Sequence, residues 1–480
     1  MIEIELLELI EKITTMKTES QTLELKAANV GCPKKLYDTI SAFSNQDSGG
    51  IIIFGIDESK GYEVVGVYDA QDLQKKVTEQ CKQMEPVVRP VFTVVQTEKG
   101  KVVSAEIPGI DVSERPCYYS GVGRIKGSYI RSGDSDEPMS DYEIYSYEAF
   151  RKKYQDDIRI NEKADLSSID TKKLNAYIDV IKEKNPKLAR LSEELVLKNL
   201  SMVIEKQPTL VCTLLFSVYP QMFYPQYTVN ALMVMGYEKG ETAADGSRFI
   251  DNKRIEGTLP EILEETMKFL SKNMKVKTII DPNTGERADK TEYPIVALRE
   301  AVLNAIIHRD YSMHTEAMPI EVVMYKDRVE VRNPGGLYGR LTIDKLGKVQ
   351  PDTRNPVLAR AMETLGKTEN RYSGIPTMIL EMRKAGMREP VFENLRNEFA
   401  VTFYNSINNE MDRNEQQTVE KDILTFCKEP KTRTEIAEYL GLTTVAYAMQ
   451  SYIKPLVDQG ELLLTIPEHP RSKNQKYYRK

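Results

Sequence analysis

Three polar side chains at steps of four residues could form a binding row within an apolar stretch. Glu300, Asn304 and His308 have this spacing between residues 299 and 311, and most residues between them are Ala, Val, Leu or Ile. At 3.6 residues per turn, the three side chains share one face of a helix that is otherwise buried. Burying them without partners costs on the order of several kcal/mol. The spacing alone fits a core hydrogen-bond network and a ligand site about equally.

The same residues carry a family resemblance. Glu300-x-x-x-Asn304 on an apolar helix resembles the N-box of the Bergerat-fold (GHKL) ATPases, and the continuation His308-Arg-Asp-Tyr is similar to the divergent, HATPase_c_4-like branch in bacterial Schlafen-type AlbA_2 regulators. The resemblance implies that ATP and Mg2+ are cofactors. It also implies that Asn304 coordinates the Mg2+ on the triphosphate and that Glu300 polarises the attacking water. His308 is expected to line the site without a catalytic role.

Downstream tracts follow in the order that this resemblance implies. Bergerat ATPases read the adenine amino group with an Asp, and Asn333 of Asn-Pro-Gly-Gly stands at that position. An amide oxygen can accept the same hydrogen bond without the charge, which weakens discrimination of adenine. Glycine before a helix presents free amides to phosphate, whereas a Walker A motif is absent from the sequence. The expected nucleotide-site residues are Asn304, His308, Asn333, Gly335, Gly336, Arg354, Asn355, Ser373 and Gly374. A lid is expected between Asn355 and Ser373.

The N-terminal region carries a second resemblance. Glu19-Ser-x-x-x-Glu24-x-Lys, followed by Ala-Phe-Ser-Asn-x-x-Ser-Gly-Gly-x-Ile-x-x-Gly-Ile-Asp57, is similar to the Schlafen AlbA_2 domain over residues 15–150. Some Schlafen proteins are metal-dependent RNA nucleases, and Glu19, Glu24 and Asp57 stand where their carboxylates would. Three carboxylates could hold Mg2+ or Mn2+ and activate water. Many such domains only bind nucleic acid, so binding is favoured over cleavage.

Cations and tyrosines later in this region predict a nucleic-acid surface, because cations contact phosphates and tyrosine rings stack on unpaired bases. Its expected members are Arg115, Arg124, Lys126 and Arg131, together with Tyr118, Tyr119 and Tyr129. A solvated strand face with core tyrosines is the alternative for any single member.

The C-terminal region begins after a polar linker at residues 405–418. Three helical segments and two strands follow in the order of a winged helix-turn-helix, whose third helix enters the major groove. Such modules also mediate protein contacts, and this third helix is poor in arginine. The expected nucleic-acid residues are Lys454, Arg471, Lys473 and Lys476.

Composition limits the class of protein. The chain has 480 residues, 41% hydrophobic and 29% charged, which fits two to four folded domains. No run reaches the roughly 20 apolar residues of a membrane helix, so we expect a cytoplasmic protein. Five scattered cysteines argue against a disulfide framework and a zinc site. A net charge of −6 argues against nucleic-acid binding through bulk charge.

We therefore predict an α+β multidomain protein. Residues 1–155 form an AlbA_2-like α/β domain, residues 156–405 a Bergerat-fold α/β sandwich with a helical lead-in, and residues 406–480 a linker and winged helix. The predicted function is an ATP-regulated, nucleic-acid-binding regulator of transcription, stress or phage defence. The alternatives are a Schlafen-like endoribonuclease acting on tRNA or structured RNA and a nucleotide-gated homo-oligomeric scaffold. In detail, residues 208–217 are expected to form a buried strand, and residues 319–332 a hairpin.

Overall fold

A computed structural model of the chain describes residues 1–18, 20–242, 246–280, 287–367, 373–395, 397–405, 422–440, 449–458, 460–467 and 475–479. It is a mixed α+β protein with several sheets. None of its described helices is long and apolar enough to cross a membrane.

The first part of the chain is built on a four-stranded sheet of order β1-β2-β7-β6, in which β1 and β2 are parallel. Alternate residues of the strands face opposite layers. Ile53 contacts a cluster that includes Leu6 and Ile10 of α1, whereas Ile52 packs with Phe43 of α2 and Leu73 of α3. The helices are α1 (Glu3–Met16), α2 (Tyr37–Ser44), α3 (Ala70–Lys82), α4 (Gly123–Gly127) and α5 (Asp141–Lys152). The strands are β1 (Leu23–Lys26), β2 (Gly50–Phe54), β3 (Ile56–Asp57), β4 (Glu63–Val64), β5 (Met84–Glu85), β6 (Val91–Thr97), β7 (Gly100–Ile107), β8 (Tyr118–Tyr119), β9 (Tyr129–Ser132) and β10 (Ser135–Pro138).

The second part is built on a six-stranded sheet of order β14-β13-β17-β18-β20-β19. Its helices are α6 (Thr171–Lys184), α7 (Pro186–Ala189), α8 (Glu193–Asn199), α9 (Leu210–Phe216), α10 (Leu259–Asn273), α11 (Ile295–His308), α12 (Pro356–Thr364) and α13 (Gly374–Lys384). Its strands are β11 (Val203–Ile204), β12 (Gln207–Pro208), β13 (Val229–Val234), β14 (Phe249–Ile255), β15 (Val276–Ile280), β16 (Arg287–Thr291), β17 (Ile320–Met324), β18 (Arg328–Pro334), β19 (Val391–Asn394) and β20 (Glu398–Tyr404). The predicted hairpin is the antiparallel pair of β17 and β18.

Helix α11 is the buried helix that the sequence predicts. Its apolar residues Ala301, Val302, Leu303 and Ile306 are nearly inaccessible to solvent. The helix packs between α10 and α13 and contacts β18 of the six-stranded sheet. Its polar face is therefore held at the end of β18, next to the start of α13.

The predicted strand at residues 208–217 is wrong, because this segment forms α9. Thr209 is the N-cap of this helix, and its hydroxyl oxygen accepts a hydrogen bond from the Cys212 amide at 3.4 Å. All seven residues of the helix are buried. A short, fully buried apolar run has no polar face, so its periodicity cannot separate a helix from a strand.

The C-terminal part has a small sheet of order β21-β23-β22, with β21 at Lys431–Thr432, β22 at Leu462–Leu464 and β23 at Lys476–Arg479. Helices lie at Arg433–Tyr439 and Lys454–Asp458, and the latter follows a π-helical turn at Met449–Ile453. The predicted third helix, at residues 444–456, lies partly outside the described residues.

Candidate functional site

One cavity brings together seven of the nine residues that the sequence predicts for a nucleotide site. It lies between α11 and α13 on one side and the ends of β18 and β20 on the other. The seven are Asn304, His308, Asn333, Gly335, Gly336, Arg354 and Gly374. Although these residues span 71 positions of the chain, from 304 to 374, they meet because α11 and β18 pack against each other.

Gly374, the first residue of α13, faces the polar row of α11. A Cβ atom on Gly374 would lie 2.6 Å from Nδ2 of Asn304 and 3.1 Å from Oε2 of Glu300. Nδ2 of Asn304 is buried and has no hydrogen-bond partner among the residues that the structure describes. Because a buried donor without a partner costs about 1–3 kcal/mol, a ligand that accepts this bond would be favoured. Glu300 lies beside this contact without lining the cavity itself.

Asn333 lies near the end of β18 with its side chain at the cavity. The residue is 5% exposed, and its Oδ1 has no hydrogen-bond partner in the described part of the chain. Apolar side chains of the same sheet, Val331, Phe399 and Val401, form the adjacent wall. A polar amide on an apolar wall suits a flat ring that carries a few polar atoms, such as a nucleobase.

Arg354 supplies a buried cation to the cavity. Its Nη1 lies 2.6 Å from Oδ2 of Asp310, and its Nη2 donates to the Gly336 carbonyl at 3.2 Å. Burial raises the pKa of Asp310, but the attraction of Arg354 and the hydrogen bonds from Ser312 and Tyr142 together outweigh burial and lower the pKa overall. Gly335 has a φ of +97°, and a Cβ there would lie 2.6 Å from Nη1 of Arg354. This glycine therefore makes room for the Arg354–Asp310 ion pair, and it also lines the cavity as the sequence predicts.

His308 and the two remaining predicted residues have different environments. Burial, with a smaller contribution from Arg354, lowers the pKa of His308 to about 4. The imidazole is therefore neutral at pH 7 and does not supply positive charge. Asn355 does not line the cavity, because its Nδ2 donates to the carbonyls of Ile307 at 2.9 Å and Arg309 at 2.8 Å at the end of α11. Ser373 is exposed, directly before α13.

The outer wall of the cavity is a segment that the sequence analysis missed. Residues 337–351, called here the cavity segment, contribute Leu337, Tyr338, Leu341, Leu346, Gly347, Val349 and Pro351. The lid was predicted after Asn355 instead, where the structure has α12 and where residues 368–372 are outside the described part. The apolar residues of the cavity segment are too irregularly spaced to indicate what they cover.

The predicted carboxylate site has different neighbours in the structure. Glu24 accepts a hydrogen bond from Nη2 of Arg131 at 2.9 Å and also pairs with Lys26. Asp57 accepts from Oγ of Ser59 at 2.6 Å and from its amide, and these bonds lower its pKa. Glu19 lies outside the described residues. Within the described part of the chain, no cluster of three or more His, Cys, Asp or Glu residues could hold a metal ion.

The predicted nucleic-acid surface loses two of its members. Arg131 is buried between Glu24 and Asp136, with 1% of its side chain exposed. Arg115 is buried too and pairs with Asp47 at 2.6 Å. Each arginine balances a carboxylate and so does not present a free charge to solvent.

The remaining members keep some exposure. Arg124 and Lys126 lie on α4, and Tyr129 is half-buried on β9. Tyr118 and Tyr119 are half-buried on β8, and the Tyr119 ring stacks on that of Tyr37 with centroids 3.7 Å apart. In the C-terminal part, Lys454 and Lys476 are exposed, whereas Arg471 and Lys473 lie outside the described residues.

Comparison with family models assigns the parts of the chain. Residues 19–140 match the model "Schlafen, AlbA_2". Residues 317–403 match HATPase_c_4, described as "Putative ATP-dependent DNA helicase recG C-terminal". The chain therefore contains a Schlafen AlbA_2 domain and a HATPase_c_4 domain. This composition is that of a nucleic-acid-associated, ATP-binding protein. Helix α11 precedes the matched HATPase_c_4 residues and completes the cavity from outside them.

The C-terminal match differs from the sequence prediction. Residues 418–479 match the model "Filamentation induced by cAMP protein Fic-like, C-terminal domain". This match does not confirm the predicted winged helix.

Two solved structures are similar to the chain. The DIP2311 protein from Corynebacterium diphtheriae is 17% identical over 99% of this chain and 96% of that one, with a TM-score of 0.40. The N-terminal domain of a RecG-related protein from Nitrosomonas europaea is 27% identical over 28% of this chain and 92% of that one, with a TM-score of 0.23. No curated protein matches the chain.

Proposed function

We propose that the protein is an ATP-binding regulator of nucleic-acid engagement, in which the occupancy of the α11–α13 cavity controls the AlbA_2 domain or the assembly state. The observation that carries the proposal is the close approach of Gly374 to Asn304 and Glu300, where the Asn304 amide N–H has no partner among the described residues. An ordinary core network would satisfy that amide. A nucleotide site, by contrast, leaves this N–H group free to donate to an oxygen of the ligand.

In this proposal four polar groups at or beside the cavity have separate roles in binding. Asn304 holds the Mg2+ of the nucleotide through its side-chain oxygen, and Glu300 orients water beside it. The first amides of α13, a helix of 11 residues, face a phosphate group, since helix N-termini favour anions. Asn333 accepts a hydrogen bond from the base. When bound, ATP supplies the phosphoryl group that water would attack.

Calorimetric titration with Mg2+ and a non-hydrolysable ATP analogue tests this site. We expect binding by the wild-type protein and a loss of at least tenfold in affinity for Asn304→Ala, because the metal loses a ligand. Asn199→Ala on α8 is the matched control and should bind like the wild type. Absence of heat with the wild-type protein would overturn the proposal.

Nucleic-acid engagement is proposed for the AlbA_2 domain through Arg124, Lys126 and Tyr129, and for the C-terminal part through Lys454 and Lys476. The finer roles in transcription, stress or phage defence rest on the resemblance alone. Titration of labelled single-stranded and duplex oligonucleotides at two salt concentrations tests the binding. An electrostatic contact predicts weaker binding at the higher salt concentration.

The nuclease and scaffold alternatives have their own tests. A metal site at Glu24 would require this carboxylate to exchange its contacts with Arg131 and Lys26 for an ion. Incubation of tRNA with Mn2+ and either the wild type or Glu24→Ala tests cleavage. Cleavage of tRNA by the wild type that is lost in Glu24→Ala would favour the nuclease. Light scattering with and without ATP tests the predicted homo-oligomer.

A further inference from the structure

Helix α5, which follows the AlbA_2 domain, contacts residues around the nucleotide cavity at two points. Helix α5 begins at Asp141, directly after the matched AlbA_2 residues, and its Tyr142 donates a hydrogen bond to Oδ2 of Asp310 at 2.7 Å. Nearer its other end, the Phe150 ring makes an edge contact with the Tyr338 ring, at 5.5 Å between centroids. Tyr338 belongs to the cavity segment.

Asp310 is shared between α5 and the cavity. Its Oδ2 is reached by both the Tyr142 hydroxyl and Nη1 of Arg354, and its Oδ1 accepts from the Ser312 amide at 2.8 Å. All three side chains of the Tyr142–Asp310–Arg354 network are less than one-tenth exposed. A buried carboxylate is stable only while its donors remain, so a change at Arg354 alters how strongly Asp310 depends on Tyr142.

The cavity segment gives a second connection. It lines the cavity through Leu337, Tyr338 and Leu341, and it also borders the cleft toward the AlbA_2 domain. There the Lys345 ammonium lies 4.0 Å from Asp47 of the AlbA_2 domain, and the Arg340 guanidinium lies 5.8 Å from the Phe150 ring. A ligand that moves this segment moves groups in contact with α5 and with the AlbA_2 domain.

We propose that Tyr142 is a positioning residue that reports nucleotide occupancy to the AlbA_2 domain through Asp310 and Arg354. A nucleotide phosphate in the cavity competes with Asp310 for the Arg354 guanidinium. As Arg354 turns to the phosphate, Asp310 keeps only the Tyr142 hydroxyl and the Ser312 amide, and the Tyr142 bond strengthens. Nucleotide binding thereby holds α5 more tightly against the HATPase_c_4 part. This inference rests on the proposed nucleotide function.

Loss of the Tyr142 hydroxyl should change nucleotide affinity in a definite direction. If the Tyr142 hydroxyl is removed, Asp310 depends more on Arg354, and the phosphate must then compete against a stronger ion pair. Tyr142→Phe should therefore lower nucleotide affinity, although Tyr142 does not line the cavity. Coupling free energies between sites correspond to changes of about fivefold or more, and by reciprocity the nucleotide strengthens the α5 contact by the same factor.

Calorimetric titration of the full chain with Mg2+ and a non-hydrolysable ATP analogue tests the inference. Tyr142→Phe should bind about fivefold or more weakly than the wild type. Tyr145→Phe is the matched control on the same helix, since its hydroxyl donates to Asp156 at 3.1 Å, and it should bind like the wild type. Equal affinity of Tyr142→Phe and the wild type would overturn the inference and leave the proposed function intact. Absence of binding by the wild type would overturn both.

A spectroscopic measurement separates coupling from a purely structural role. The chain has no tryptophan, so Phe150→Trp places a single reporter at the contact between α5 and the cavity segment. The analogue should change its emission, and Tyr142→Phe in the same background should reduce that change at nucleotide saturation. If Tyr142→Phe leaves the analogue-induced change in emission as it is and only lowers the melting temperature, Tyr142 has a purely structural role, which would contradict the inference.

Discussion

Tyr142 and Asp310 are 168 positions apart in the chain and share a buried hydrogen bond of 2.7 Å. The bond joins the helix after the AlbA_2 domain to the residue that holds Arg354 at the cavity. It is a direct polar connection between the two parts of the chain for which nucleic-acid association and ATP binding are indicated. Variants near this connection and in the cavity should therefore have separable effects on binding and on stability.

Gly374→Ala should weaken nucleotide binding with little effect on stability. The added Cβ would lie 2.6 Å from Nδ2 of Asn304, so the polar row must shift. The helix itself gains, because alanine is favoured over glycine by up to about 1 kcal/mol. We expect at least a tenfold loss of affinity in calorimetry. Gly31→Ala, where nothing lies within 4 Å of the added atom, is the matched control. Normal binding by Gly374→Ala would place the ligand elsewhere.

Asn333→Asp should sharpen the selectivity for adenine. A charged acceptor binds the adenine amino group more strongly than an amide does and repels the carbonyl oxygen of guanine. The ratio of the GTP to the ATP dissociation constant should rise about tenfold, which corresponds to about 1.4 kcal/mol. Competition titrations with both nucleotides measure the ratio. An unchanged ratio would mean that Asn333 does not contact the base.

Glu24→Gln should destabilise the AlbA_2 domain. Arg131 has 1% of its side chain exposed and would keep only Asp136 as a charged partner. Breaking a buried ion pair costs about 3 kcal/mol or more. Glu63→Gln is the matched control, because its pair with Lys99 is exposed to solvent and contributes little to stability. Urea denaturation measures both variants, and equal unfolding free energies would indicate that the Glu24 pair is not structural.

Asp157→Asn should flatten the dependence of stability on pH. Burial raises the pKa of Asp157 to about 6, although the amides of Leu358 and Val357 at the start of α12 oppose the shift. Because the folded-state pKa is raised, this group's contribution to stability is full below about pH 4 and falls as pH rises through about 6. The loss is up to about 3 kcal/mol.

Thermal unfolding between pH 4.5 and 7.5 checks this prediction. Asparagine can still accept the two amide hydrogen bonds but has no charge to desolvate. The stability of the variant relative to the wild type should therefore increase with pH. A difference that is constant over this range would contradict the raised pKa.

Much of the site could be predicted from the sequence because its key residues lie on regular elements. The spacing of Glu300, Asn304 and His308 indicated one face of a buried helix, and the family resemblance of the later tracts, from Asn333 to Gly374, assigned them to the same nucleotide site. Asn355 was assigned to the cavity because it belongs to the same tract as Arg354. Its amide instead caps the end of α11, a contact between distant segments that spacing does not reveal.

Other features could not be predicted for definite physical reasons. An arginine in a sequence has the same charge whether it faces solvent or a buried carboxylate, so Arg115 and Arg131 were placed on the surface. The apolar run of α9 has no polar face to reveal its period. The cavity segment covers the site through scattered apolar residues whose partners lie on α13 and the sheet.

The most direct test of the nucleotide site is a crystal structure of the full chain with Mg2+ and a non-hydrolysable ATP analogue. We predict the metal and phosphates beside Asn304 and the first turn of α13, with the base beside Asn333 and the cavity segment over it. A ligand bound at another place in the protein, or an empty α11–α13 cavity at saturating analogue, would contradict the account.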